Sequence, residues 1–230
     1  MKRGADFSAP HLTDRSVRPA IHLLAGRCYR IGAVLGHADK PGAISGRSHA
    51  ALAEMRDVLL EIYAASGAMN QLLLAHLDPR AWRAAPPGQK GGGRTIGAIF
   101  AHLHNVRLSW LRHSAPHLKC PARLDPHRCT MKQAVAAHKR SAKQCLRMLG
   151  DALSAGPRRR VKRFTRDAYV QSWPAGASMF AYMFAHEAHH RGQIIMLARQ
   201  SGFRLPVPAA YGIWHWEKLW KKAGLKTRPR

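Results

Sequence analysis

No stretch of this 230-residue chain approaches the ~18 unbroken apolar residues that a bilayer-spanning helix needs, so no membrane partner is expected. The longest N-terminal apolar run, residues 20–36, is broken by Arg27 and Arg30 and lacks the layout of a secretory signal. Cysteine is sparse: Cys28, Cys120, Cys129 and Cys145 form no C-x-x-C pair and no dense framework. That excludes a disulfide scaffold and points to reduced thiols in a reducing, cytoplasmic setting. Aromatic residues reach only 7% and do not interleave with basic residues as they do on a single-strand nucleic-acid platform. Acidic residues are few: 12 against 38 lysines and arginines, so 38 − 12 = +26. Such an excess predicts attraction to anionic partners, with non-specific nucleic-acid association among them. It carries no information about fold.

What the chain does have is 46% hydrophobic residues, set largely at helical period. Residues 1–50 are the exception: rich in Gly, Pro, Ser and Arg, without sustained periodicity, they read as a disordered basic extension. The domain is expected over 51–225. Its first helix runs over 51–76, with Val58, Leu59, Ile62, Ala65, Met69, Leu72 and Leu73 on one face. Asp78-Pro79 ends it, and a Pro/Gly-rich loop follows at 86–93. Thr95 N-caps a second helix reaching about 113, and Thr130 a third reaching about 153. Residues 157–163 read as a basic loop and 164–173 as extended or irregular. A fourth helix over 177–200 stops at Gly202. Pro206 and Pro208 then lead into a short aromatic helix over 214–223. Four long amphipathic helices, with no strand of comparable quality, predict an all-α four-helix bundle.

Among 15 histidines, position singles out a few. His186 and His190 are one helical turn apart, about 40° round the fourth helix from each other. Met179, Met183, Gln193 and Leu197 share their stripe, which places two imidazoles and an amide on an otherwise apolar, inward-facing surface. Buried polar groups must be satisfied. A metal would satisfy both rings; so would hydrogen bonds to backbone or water. On the second helix His102 lies with Ile99, Val106, Ser109 and Trp110, and can project across the bundle. His104, on the other side with Phe100, Leu108 and Leu111, competes with it, and periodicity leaves the choice open. His186-Glu187-Ala188-His189-His190 also fits H-E-x-x-H, in which Glu187 would be the general base of a metal-dependent hydrolase. His189 points away from the pair. Gly192 costs up to ~1 kcal/mol against Ala in a helix, which suggests close packing or a homodimer contact.

Thr95-Ile96-Gly97-Ala98-Ile99-Phe100-Ala101-His102, followed by Trp110-Leu111, resembles the second-helix signature of the DinB/YfiT-like superfamily. His186-Glu187-Ala188-His189-His190-Arg191-Gly192-Gln193-Ile194 resembles its His-x-x-x-His-Arg-Gly-Gln signature, and Tyr211-Gly212-Ile213-Trp214-His215-Trp216 its C-terminal aromatic segment. The resemblance implies a bundle with one divalent metal, zinc or nickel, held by His102, His186 and His190. Some members are S-transferases that use bacillithiol, mycothiol or glutathione, which implies a low-molecular-weight thiol cofactor and a small-molecule substrate. Where many relatives carry an acidic residue five positions after the first histidine, this chain has Arg107.

Overall fold

The computed structural model describes residues 46–86, 93–155, 161–166, 169–173 and 176–224. Residues 1–45, and Arg158 to Arg160 of the basic run, lie outside the described residues.

The bundle consists of α1 (Gly46–His76), α2 (Ile96–Ser114), α3 (Met131–Ser154) and α4 (Gly176–Gln200). Residues 46–50 therefore belong to the first helix rather than to the extension. The helix ends follow from local chemistry. The Thr95 hydroxyl accepts the Ala98 N–H at 3.1 Å, satisfying one of the donors that the first turn leaves free. Thr130 and Gln133 form a reciprocal capping box at the start of α3. Gly202, at φ 83°, closes α4. Its N–H reaches Arg199 O at 3.2 Å and the next N–H, of Phe203, reaches Ala198 O at 2.8 Å, the Schellman pattern.

Core contacts give the helix directions. Leu73 near the end of α1 shares a cluster with Ile99 and Ala134, near the starts of α2 and α3, and with Ile194 near the end of α4. So α1 and α4 run one way and α2 and α3 the other. Contacts join α3 and α4 to each other and to both α1 and α2. The core is layered along the bundle axis. One apolar layer holds Leu73, Phe100, Leu103 and Ile194; the other holds Tyr63, Leu108, Trp110, Leu149 and Met183. Between them, on all four helices, lie buried polar residues: Ser66 and Asn70, His104 and Arg107, His138 and Ser141, Glu187 and Arg191.

Three local readings change. The segment after α3 is an antiparallel hairpin, β1 (Val161–Arg166) and β2 (Tyr169–Trp173), with Phe164 opposite Gln171 and Arg166 opposite Tyr169. The C-terminal segment is two short helices, α5 (Val207–Gly212) and α6 (Trp216–Lys222). Pro208 sits in the first turn of α5, where its missing N–H costs nothing. Trp214, between the two, is 71% exposed. Helix α1 is, by length and composition, apolar enough over His49–His76 to cross a membrane. Its buried face, however, is bundle core and carries Ser66 and Asn70.

Candidate metal centre

Helix α4 brings His186 and His190 to one face, and α2, packed beside it, supplies His102. One ligand nitrogen from each of the three lies within 4.8 Å of the others. The ring centroids of His102 are 5.5 Å from His186 and 4.7 Å from His190. His186 Nε2 and His190 Nε2 are 3.2 Å apart. Two nitrogens on one tetrahedral zinc at ~2.0–2.1 Å would be about 3.3 Å apart, so the pair is already at ligand spacing.

The surroundings fix the rings. His190 Nδ1–H donates to Gln193 Oε1 at 2.7 Å, which selects the tautomer with Nε2 free of hydrogen and turned toward His186. This is how metal-ligating imidazoles are ordinarily oriented. Gln193 in turn donates through Nε2 to His189 Nε2 at 3.0 Å. The exposed His189 thus supports Gln193, and its ring also meets that of His190 edge-on at 5.0 Å. His186 stacks on Tyr182 at 6.2 Å and meets the edge or face of Trp110 at 5.5 Å, held between two aromatic rings. Burial, then the positive charge of Arg94, pushes His102 down to about 4. Burial also lowers His190, against the opposing Gln193 hydrogen bond. Neutral imidazoles are what a divalent ion requires. The three rings stand at a cleft of about 1010 Å³, whose lining also includes Thr95, Asn105, Ser109 and Tyr182. They leave one side open to it.

The competitors go elsewhere. His104 is fully buried and faces the other way. Its Nε2–H donates to Ala122 O at 2.8 Å, and its Nδ1 accepts from the Ser141 hydroxyl at 3.1 Å. Glu187 turns from the cleft into the polar layer. Its carboxylate accepts from Tyr63 Oη at 2.6 Å, Asn70 Nδ2 at 2.8 Å, and both Arg107 Nε at 2.8 Å and Arg107 Nη2 at 2.6 Å. Burial alone would raise this acid. Arg107 overrides it and holds Glu187 at about 2. Glu187 is thus an anchored counter-ion with no route to the cleft, and the H-E-x-x-H reading of it as a base fails. Arg107, the departure at that position, is its bidentate partner. Arg191 completes the cluster, donating to Ser66 Oγ at 2.8 Å. The close packing expected at Gly192 is absent: a Cβ there would meet nothing within 4 Å.

Sequence periodicity missed the cleft's outer residues. Arg94 and Arg123 line it, one in the loop before α2 and one in the long connection before α3, where no helical stripe marks them.

No curated protein and no solved structure matches the chain. The model of the DinB family matches residues 53–221, a span that covers all four bundle helices but the first turns of α1 and includes α5 and most of α6. A helical bundle with a histidine triad able to hold a metal ion, matched to that family model over most of its length, makes this chain a member of the DinB family.

Proposed function

We propose that the chain holds one divalent ion, zinc or nickel, on His102, His186 and His190, and that it serves S-transfer between a low-molecular-weight thiol and a small-molecule substrate. The observation that carries this reading is the convergence of three imidazoles at the inner wall of an open cleft. Three protein ligands with one side left open is the catalytic rather than the structural form of such a site. When bound, the ion lowers the pKa of a thiol so that thiolate is present at neutral pH.

The protein's own contributions follow from the geometry. Gln193 holds the His190 tautomer, and Trp110 and Tyr182 hold the plane of His186. The buried Arg107–Glu187 pair, one turn of α4 from His190, locks α2 against α4 and so fixes His102 relative to the other two rings. Thiol chemistry also suits a site in which Glu187 is already committed, since a hydrolytic reading would need another base.

Metal content tests the proposal. The purified full chain should carry one ion. His102→Ala, His186→Ala and His190→Ala should each lose it, while His104→Ala keeps it. Thiol-dependent turnover should vanish on chelation and return with added zinc or nickel. Loss of metal in His104→Ala with retention in His102→Ala would sink the assignment. Charge makes a separate expectation: retention on nucleic acid should fall steeply with salt and ignore chelation.

A further inference from the structure

The cleft over the three histidines is lined by basic residues and by no carboxylate. Arg94, Arg123, His127 and His189 contribute to it, and neither Asp nor Glu does. Arg107, buried in the polar layer, is paired with an acid, whereas Arg94 and Arg123 make no ion pair among the described residues. The acid nearest in sequence, Asp125, is spent on local backbone. It accepts the N–H groups of His127 at 2.7 Å and Arg128 at 3.1 Å.

Arg123 is also placed with more care than a solvated surface charge requires. The residues on either side of it are both tied to α2. His104 donates to the carbonyl of Ala122 at 2.8 Å. Asn105 donates to the carbonyl of Leu124 at 2.8 Å and accepts the Leu124 N–H at 3.0 Å, so its amide pairs with that residue as a neighbouring strand would. Both tethers come from within one turn of His102. Arg94 approaches from the other end, directly before the Thr95 cap, close enough for its charge to act on the rings of His102 and His190. Two uncompensated guanidinium groups therefore overlook one metal-type site, each joined to the helix that carries His102. Guanidinium is matched to carboxylate and phosphate in shape as well as charge.

We propose that the cleft selects a small molecule carrying an oxyanion, a carboxylate or a phosphate, which Arg94 and Arg123 grip while its other end reaches the three histidines. The second half of this statement rests on the metal reading; the first does not.

Two zinc-seeking probes of similar size separate the parts. On the zinc-loaded full chain, calorimetry compares 3-mercaptopropionate with 1-propanethiol. The carboxylate should give about tenfold tighter binding. Arg94→Gln and Arg123→Gln should each remove most of that difference while leaving zinc content and 1-propanethiol affinity unchanged. Both side chains are exposed, so the fold is not at stake. Arg199→Gln, an exposed arginine outside the cleft, should change nothing. Competition by acetate and by inorganic phosphate then ranks the two oxyanions. Equal affinity for the two probes in the unaltered chain, competition by neither anion, or a loss in Arg199→Gln as large as in Arg123→Gln would overturn the proposal. Survival of 1-propanethiol binding in His186→Ala would overturn the metal reading instead. It would leave the arginine result standing, because that result is a difference between probes.

Discussion

On one face of α4, Glu187 and Arg191 are sealed inside the bundle and bonded to α1 and α2. On another face of the same two turns, His186 and His190 converge on each other and on His102. The first group consists of opposites. An anion meets two cations and two neutral donors, and every strong hydrogen-bonding demand is met from within the chain. The second consists of likes. Three imidazoles crowd within 4.8 Å and bring no counter-charge with them. A network closed on itself holds the bundle together. A cluster of identical donors open on one side calls for something from outside. The H-E-x-x-H motif straddles the two groups, which is why its glutamate and its histidines end in different roles.

The comparison breaks most severely at the closed network. Removing one partner of a buried pair leaves the other charge unpaired, at a cost of about 3–5 kcal/mol. A domain has only about 5–15 kcal/mol in all, so Arg107→Met should bring the chain close to unfolding. Urea denaturation of the zinc-free chain should show the loss, and Arg107→Met combined with Glu187→Leu should recover part of it. A single variant within about 1 kcal/mol of the unaltered chain would mean that water reaches Glu187 and the network is not closed.

The open cluster should respond in affinity rather than in stability. Gln193→Ala frees the His190 tautomer, and loss of such a supporting contact typically weakens metal binding tenfold to a hundredfold. Zinc competition against a chromophoric chelator reads this directly. The thermal midpoint of the metal-free protein should stay put, since Gln193 is exposed. An equal fall in metal-free stability would place Gln193 in the closed class.

His138 offers a pH test of closure. It is fully buried, donates through Nε2 to Phe100 O at 2.9 Å, and its Nδ1 has no partner among the described residues. Burial, reinforced by Arg107 and His104 and opposed by Glu187, lowers it from 6.5 to about 3. The folded ring is neutral where the unfolded one binds a proton. Its contribution is therefore fully present above about pH 6.5 and is lost as pH falls toward 3, by at most about 1.4 kcal/mol per unit. Urea midpoints at pH 7, 6 and 5, taken with chelator, should fall more steeply for the unaltered chain than for His138→Gln. Parallel slopes would show that the folded ring takes up a proton.

Sequence made the four helices, their caps at Thr95 and Thr130 and the stop at Gly202 legible, because each depends on neighbours a few residues away. His186 and His190 were legible for the same reason. The polar layer was not. The periodic stripe of α1 includes Ala65, Met69 and Leu73, which are buried, but leaves out Tyr63, Ser66 and Asn70, which are buried with them, and it includes Val58, which is 43% exposed. Arg107 and Glu187 lie 80 positions apart, and no local pattern joins them. The choice between His102 and His104 fell to a tertiary partner, the Ala122 carbonyl, which draws His104 away. Of the hairpin, 164–173 was legible only as extended or irregular, and the start of β1, V-K-R, was lost in a basic run.

The smallest expected effect lies on the solvent side of α4. Gly192 is exposed, stands between Arg191 of the closed network and Gln193 of the open one, and a Cβ there would meet no atom within 4 Å. A glycine inside a helix costs up to ~1 kcal/mol against alanine. Gly192→Ala should therefore stabilise the isolated chain by about 0.5–1 kcal/mol, raising the urea midpoint without changing zinc affinity. The same variant bears on the homodimer suggested by the glycine. If a second copy packs its backbone against this position, the added methyl obstructs it. Sedimentation should then show the altered chain shifted toward monomer, and its stability should depend on concentration less than that of the unaltered chain. A gain in stability with no change in sedimentation leaves this face to solvent. A loss of stability in the monomer would mean that Arg191, one residue away, is displaced from Ser66, and that the two faces of α4 are mechanically joined.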